Sequence, residues 1–130
     1  MSRLKVSFRG ESYVIDEFFK SLMFQTIMDA SKLNRNERAV LLVVFRKTLH
    51  YDKRMDTLGI HWLSKAARIG EHTTRTAIKG LIEKKFLKKE ISQGGQSSSK
   101  RRFNSFGISD GLLEIVFRQW IKIKEESGYV

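Results

Sequence analysis

From its start the chain alternates. Leu4, Val6 and Phe8 are apolar while Arg3, Lys5, Ser7 and Arg9 are polar, a period of two that predicts a short half-buried strand closed by Gly10. At Ile15 the period lengthens. Ile15, Phe18, Phe19, Leu22, Met23, Ile27 and, less regularly, Met28 fall on one helical face, with Asp16 and Glu17 at the end where the helix dipole favours negative charge. Asn34-Arg35-Asn36-Glu37 has the form of a capping box, Asn34 as N-cap and Glu37 three residues on. Behind it Ala39 to Phe45 are apolar without a break. A buried strand is one reading of that run, since Val-Val-Phe suits a sheet. The cap, with Arg38, Arg46 and Lys47 bracketing a helix-length segment, favours a central core helix. Leu49 to Ile60 is a polar connection expected to end in an extended segment at Leu58-Gly59-Ile60.

Two further helices follow at close quarters. Trp62, Leu63, Ala66 and Ala67 mark the first, whose small residues would let the second cross it closely; Ile69 plugs the turn, and Gly70 or Glu71 starts the second. There Thr74, Ala77, Ile78 and Leu81 stand at i, i+3, i+4 and i+7, facing inward, with Phe86 and Leu87 at the end. This leaves His72, Thr73, Arg75, Thr76 and Lys79 outside. Strand alternation resumes at Leu87, Lys89 and Ile91. Gly94 to Ser99 can only be a tip, and after Lys100-Arg101-Arg102 the residues Phe103, Phe106 and Ile108 return to a core. Ser109 or Asp110 caps a final amphipathic helix carrying Leu112, Leu113, Val116, Phe117, Trp120, Ile121 and Ile123. The expected fold class is α+β: a helix-turn-helix with a β-wing, an added N-terminal strand and helix (1–32), a core (33–108) and a C-terminal helix (109–130), all one domain.

Charge sharpens this picture. The chain of 130 residues carries 25 Lys+Arg against 14 Asp+Glu, a formal net charge of +11, which attracts polyanions. Residues 61–105 hold eleven Lys/Arg and three Asp/Glu, a balance of +8, so the charge gathers on the helix-turn-helix and wing. Cysteine is absent, which excludes disulfides, thiol catalysis and Cys-based zinc fingers. No run of about 18 apolar residues offers a membrane span, and the N-terminus lacks a signal-peptide core, so a cytoplasmic location is expected and no membrane partner. His50, His61 and His72 lack metal-ligand spacing. No P-loop, Gly-x-Ser-x-Gly or acidic two-metal cluster is present. We therefore expect no enzyme, no metal and no cofactor.

The segment Leu63 to Leu87, with Ala-Ile-Lys-x-Leu-x-Glu-Lys at Ala77 to Lys84, resembles winged-helix DNA-binding domains. The wider stretch from Leu33 to Ile108 is similar to the N-terminal origin-binding domain of phage replication protein O-type initiators. It shares their core helix ending in Arg-Lys-Thr (Arg46-Lys47-Thr48) and their short charged link (Lys53 to Asp56) into the helix-turn-helix. Three positions depart from the pattern. Arg68 stands at the usual turn glycine, Lys85 at the glycine after the second helix, and His50-Tyr51 at a Gly-Trp. The resemblance implies origin (iteron) recognition in replication initiation of a phage, plasmid or mobile genomic island. It also implies replication proteins as partners through a C-terminal region beyond Val130. A phage or plasmid regulator on a promoter operator would use the same contacts. A protein-interaction winged helix is disfavoured by the clustered charge.

The candidate site has two parts. The second helix would enter a major groove, where Arg pairs bidentately with guanine and Thr offers a hydroxyl and a methyl; its residues are His72, Thr73, Arg75, Thr76 and Lys79. Each could instead belong to an ordinary solvated face, His72 above all. The wing would grip phosphate through Ser99, Lys100, Arg101 and Arg102, although charges on a strand edge also guard against edge pairing. Finally, the terminal helices hold more aromatic residues than a minimal winged helix needs. Either they pack over the core, or Phe117, Trp120 and Ile121 form the seam of a homodimer that reads two half-sites.

Overall fold

The computed structural model describes residues 3–93 and 102–128, without the side chains of 92, 93, 102 and 103. It is an α+β fold. A two-stranded hairpin, β1 (Lys5–Phe8) and β2 (Glu11–Val14), precedes helices α1 (Glu17–Asp29) and α2 (Arg35–Lys47). A 3-10 turn (Leu49–Tyr51) and a two-residue strand β3 (Asp56–Thr57) lead to α3 (Ile60–Ala67) and α4 (Glu71–Glu83). Strands β4 (Leu87–Gln93) and β5 (Arg102–Ile108) form the wing, and α5 (Asp110–Glu126) closes the chain. The three-stranded sheet runs β3-β5-β4, all antiparallel, with Leu87 opposite Ile108 and Gln93 opposite Arg102.

The core helix is a helix. Asn34 accepts from the Glu37 amide (2.8 Å) and the Glu37 carboxylate accepts from the Asn34 amide (2.9 Å), the reciprocal bonds of a capping box. Val40, Leu41, Val43, Val44 and Phe45 are all buried, and α4, α3, α1 and β5 pack around them. Glu37 is itself only 3% exposed and pairs with Lys84 at the end of α4 (2.6 Å). A buried charge needs such a partner. Gly80 on α4 lies against this carboxylate, and a Cβ there would push the outer oxygen of Glu37 aside.

Several boundaries differ from expectation. Gly10 does not end the N-terminal strand region but turns it: Arg9 (φ 53) and Gly10 (φ 80) make a two-residue left-handed loop, which matches the twist of a hairpin, and Glu11–Val14 pairs back. The first helix starts at Glu17 rather than Ile15, because Asp16 caps it by accepting from the Phe19 amide (2.8 Å). Its buried line is Phe19, Met23 and Ile27, with Lys20; Phe18 (38%) and Met28 (43%) are exposed, so the face read from the sequence is too wide. The extended segment lies at Asp56–Thr57, where β5 offers pairing, and Ile60 is already helical. Ala66 is exposed and lines a cleft with α2 and the 3-10 turn, not either groove that borders α4. On β4, Ile91 is exposed (57%) rather than part of a buried alternation.

The two departures from glycine keep the geometry glycine would give. Arg68 (φ 60) and Lys85 (φ 65) are both left-handed. After α3 the Ile69 amide donates to the Ser64 carbonyl (3.0 Å) and the Arg68 amide to that of Lys65 (3.2 Å). After α4 the Phe86 amide donates to Leu81 (2.9 Å) and the Lys85 amide to Ile82 (3.0 Å). Both are Schellman motifs, which satisfy the last carbonyls of each helix. The second ends α4 at Glu83, before Phe86 and Leu87.

Candidate nucleic-acid interface

Helix α4 is fixed from inside. Thr74, Ala77, Ile78 and Leu81 are buried against the core, as their spacing predicts, and the Thr74 hydroxyl donates to the Gly70 carbonyl (2.9 Å). The opposite face is thereby turned outward. His72, Arg75, Thr76 and Lys79 are exposed and Thr73 is half-buried. Thr76 donates its hydroxyl to the His72 carbonyl (3.2 Å), so without a ligand it is satisfied by its own helix. Glu71, at the positive end of the helix, lies 3.9 Å from the Arg75 guanidinium and 3.6 Å from His61 Nδ1. All three groups are exposed, and such pairs contribute little to stability. They leave the guanidinium available to a stronger anion.

Two grooves border this face. One, of about 520 Å³, runs between α4 and the base of the wing and is lined by Arg75, Lys79, Ile82, Lys89 and Asn104. The other, of about 380 Å³, lies between α4 and the start of α2 and includes Thr73, Thr76 and Lys79. Lys89 and Asn104 are thus neighbours of the recognition face that the linear reading does not single out. Their signal lies in the strand register: Ile91 pairs with Asn104 and Lys89 with Phe106, at the foot of the hairpin beside α4.

Of the expected wing residues, Ser99, Lys100 and Arg101 lie outside the described residues. Arg102 begins β5 opposite Gln93. The wing's base is tied down. The Arg54 guanidinium reaches Asp110 at 2.6 Å and the Lys88 ammonium reaches it at 3.6 Å, joining the approach to β3, strand β4 and the start of α5. The Arg54 hydrogen bond, with Lys88 nearby, holds the Asp110 carboxyl below the usual range against a smaller opposing effect of burial. Gly107 of β5 is needed here, since a Cβ would meet the Arg54 carbonyl and the Met55 sulfur.

The expected dimer seam needs one correction. Phe117 is 1% exposed within the single chain. Its ring stacks on Phe8 (5.4 Å) and lies 4.4 Å from Phe19, so it joins the hairpin, α1 and α5 into the core and has no surface to offer a second copy. Trp120 and Ile121 are half-buried. Trp120 donates its ring N–H to Asp16 (3.0 Å), and Lys124 both reaches Asp16 (2.8 Å) and lies over the indole (4.1 Å). Burial pushes the Asp16 carboxyl up, but the Lys124, Phe19 and Trp120 donors together outweigh it and leave it below the ordinary value.

Among the described residues no group of three or more His, Asp or Glu is placed to hold a metal ion, and no helix is long and apolar enough to cross a membrane. No curated protein sequence matches the chain. A solved structure described as a possible transcriptional regulator from Methanosarcina mazei Go1 aligns over 97% of this chain and 95% of its own, at 14% identity and a TM-score of 0.45. The family model for bacteriophage replication protein O matches residues 17–102, from the start of α1 to the first residue of β5. That match spans most of the sequence and takes in both the capped core helix and the outward face of α4: the chain belongs to the bacteriophage replication protein O family.

Proposed function

We propose that this chain binds double-stranded DNA sequence-specifically and recognises the iterated repeats of a replication origin. The observation that carries the reading is the outward face of α4, where Arg75, Thr76, His72 and Lys79 stand together on a helix whose other face is locked into the core. A helix so held can enter a major groove with its side chains in register. Lys89, Asn104 and the basic residues Lys100, Arg101 and Arg102 would follow the neighbouring backbone, since phosphate contacts fix orientation while base edges specify. Family membership supports the origin over a promoter operator. The reading needs no catalytic group, metal or cofactor in this chain. It sets the protein in the cytoplasm, with replication proteins as further partners.

We also propose that two copies act together on adjacent repeats. Trp120 and Ile121, with the exposed Ile115 and Ile123 of the same helix, supply the apolar surface; Phe117 does not. Sedimentation at micromolar concentration tests this, and a monomer, alone and on a two-repeat duplex, removes it. For the main reading the experiment is genome-wide mapping of bound sites, followed by gel shifts on the recovered duplex and on random duplex. Repeats within an origin are expected. A lone operator upstream of a gene would replace the origin with transcriptional regulation, and equal affinity for random duplex would remove sequence recognition altogether.

A further inference from the structure

A second cationic surface is formed by other residues. Between the end of α2 and α3, a cleft of about 190 Å³ is lined by Val43, Arg46, Lys47, His50, Tyr51, Trp62 and Ala66. None of these residues lines the two grooves beside α4. Aromatic rings are ordinarily buried, yet here Tyr51 is 64% and Trp62 41% exposed. Trp62 and Ala66 are one helical turn apart, so the small side chain leaves space beside the indole. Arg46 is exposed, and the Lys47 ammonium lies 4.9 Å over the Trp62 ring. No carboxylate lines the cleft.

The turn carrying the other two rings is built in place. His50 and Tyr51 meet edge to face at 5.2 Å. Lys20, 8% exposed, donates to the His50 carbonyl (3.2 Å) and lies 3.3 Å from Asp52 and 3.4 Å from Glu17. A buried cation thus lies between the exposed Glu17 and Asp52, whose Oδ1 makes no hydrogen bond among the described residues. The Tyr51 amide donates to Thr48 (3.0 Å) and the Asp52 amide to Leu49 (3.0 Å). In the sequence this feature is hidden, because His50-Tyr51 registers only as a departure from Gly-Trp.

Exposed rings beside cations, with no acid among them, are the means by which proteins hold unpaired nucleotides: a base stacks on the ring and its phosphate meets the cation. We propose that this cleft binds single-stranded DNA, one unstacked base seated against Trp62 and Tyr51 with the backbone running past Arg46 and Lys47. A duplex offers no free base face to such a cleft. The inference is independent of the duplex reading, since it uses different residues.

The test is titration of the whole chain with a short oligothymidylate, followed by tryptophan fluorescence. Binding should quench Trp62, and Trp62→Phe should remove that quench while affinity changes less than about twofold. Trp62→Ala and Tyr51→Ala should each weaken single-strand binding on the order of tenfold and leave duplex binding unchanged. Both residues are exposed, and melting curves check that the variants fold. Arg75→Ala with Lys79→Ala should spare the quench. A wild-type chain that shows the quench but binds no duplex would remove the origin reading and leave this one standing. Three results overturn the proposal: no quench of Trp62, equal weakening of duplex and single strand by the two alanine variants, or displacement of the oligonucleotide by an oligoglutamate peptide of equal charge. The last would make the cleft a site for an acidic protein segment.

Discussion

Asp16 offers a direct measure of how the terminal helices are joined. Its carboxylate caps α1 through the Phe19 amide and accepts from Trp120 and Lys124 of α5. Replacing it by alanine removes all three bonds, while asparagine keeps the cap and the Trp120 bond and loses only the charged bond to Lys124. An N-cap contributes about 1 kcal/mol. Hydrogen bonds involving a charged group contribute about 1.5–3 kcal/mol each. The side chains of Asp16 and Lys124 are about a quarter exposed (24% and 27%), so solvent screening takes these bonds below that range, to about 1 kcal/mol each. Asp16→Ala should then destabilise by about 3 kcal/mol and Asp16→Asn by about 1. For a chain of this size those losses lower Tm by about 12 °C and 4 °C.

The pH dependence gives the same prediction a sign. The folded carboxyl titrates below its unfolded value, so its contribution is present above about pH 4 and lost as pH falls through the folded value. The gap between wild type and Asp16→Asn should close over that window. Urea unfolding at pH 7 and in the acid range, followed by tryptophan fluorescence, measures both. An Asp16→Ala variant within about 0.5 kcal/mol of wild type at pH 7, or a wild-type to Asp16→Asn gap that persists unchanged in acid, would refute the assignment of α5 to the chain's own core. The folded variants should bind duplex as wild type does, because Asp16 lines neither groove beside α4.

The other predictions concern the recognition helix and its supports. Arg75→Ala should weaken cognate binding by about 1–3 kcal/mol and random duplex less; equal losses in a titration would confine Arg75 to phosphate. Neutralising Lys100, Arg101 and Arg102 together should weaken both duplexes alike and flatten the salt dependence by about 0.9 log unit for each phosphate the wing no longer neutralises. An unchanged slope would take the wing off the DNA. Gly80→Ala, which helix propensity alone would make favourable by about 1 kcal/mol, should instead destabilise by about as much by displacing the Glu37 carboxylate from Lys84; a stabilised variant in urea would show that the carboxylate moves freely. Lys85→Gly should raise stability by about 0.5–1 kcal/mol by relieving the left-handed backbone, and a lower Tm would count against that geometry.

Much of this fold is legible where a local chemical cause acts alone. The Asn34–Glu37 box and the inward set Thr74, Ala77, Ile78 and Leu81 depend on neighbours within a turn or two, and the structure bears both out. The hairpin at Arg9-Gly10 escapes a linear reading because one glycine signals either a stop or a reversal, and only the pairing of Glu11–Val14 decides. Phe117 is misplaced for a different reason. Its spacing shows that it faces something, but whether that is Phe8 and Phe19 of the same chain or a second copy is a tertiary fact. Lys89 and Asn104 join the recognition face through strand register, and the Trp62 cleft arises where two elements meet. Neither leaves a pattern along the chain.

The two left-handed joints at Arg68 and Lys85 bear on speed as well as on shape. Each holds a cation where glycine would be more relaxed and electrically silent. A field of +11 raises the rate at which a protein meets a polyanion, and it does so only as far as salt allows. A variant with glycine at both joints should therefore melt later and yet find its DNA more slowly in dilute buffer, with the two association rates converging as salt rises. On that account the strain at either end of α4 is the thermal counterpart of a faster search.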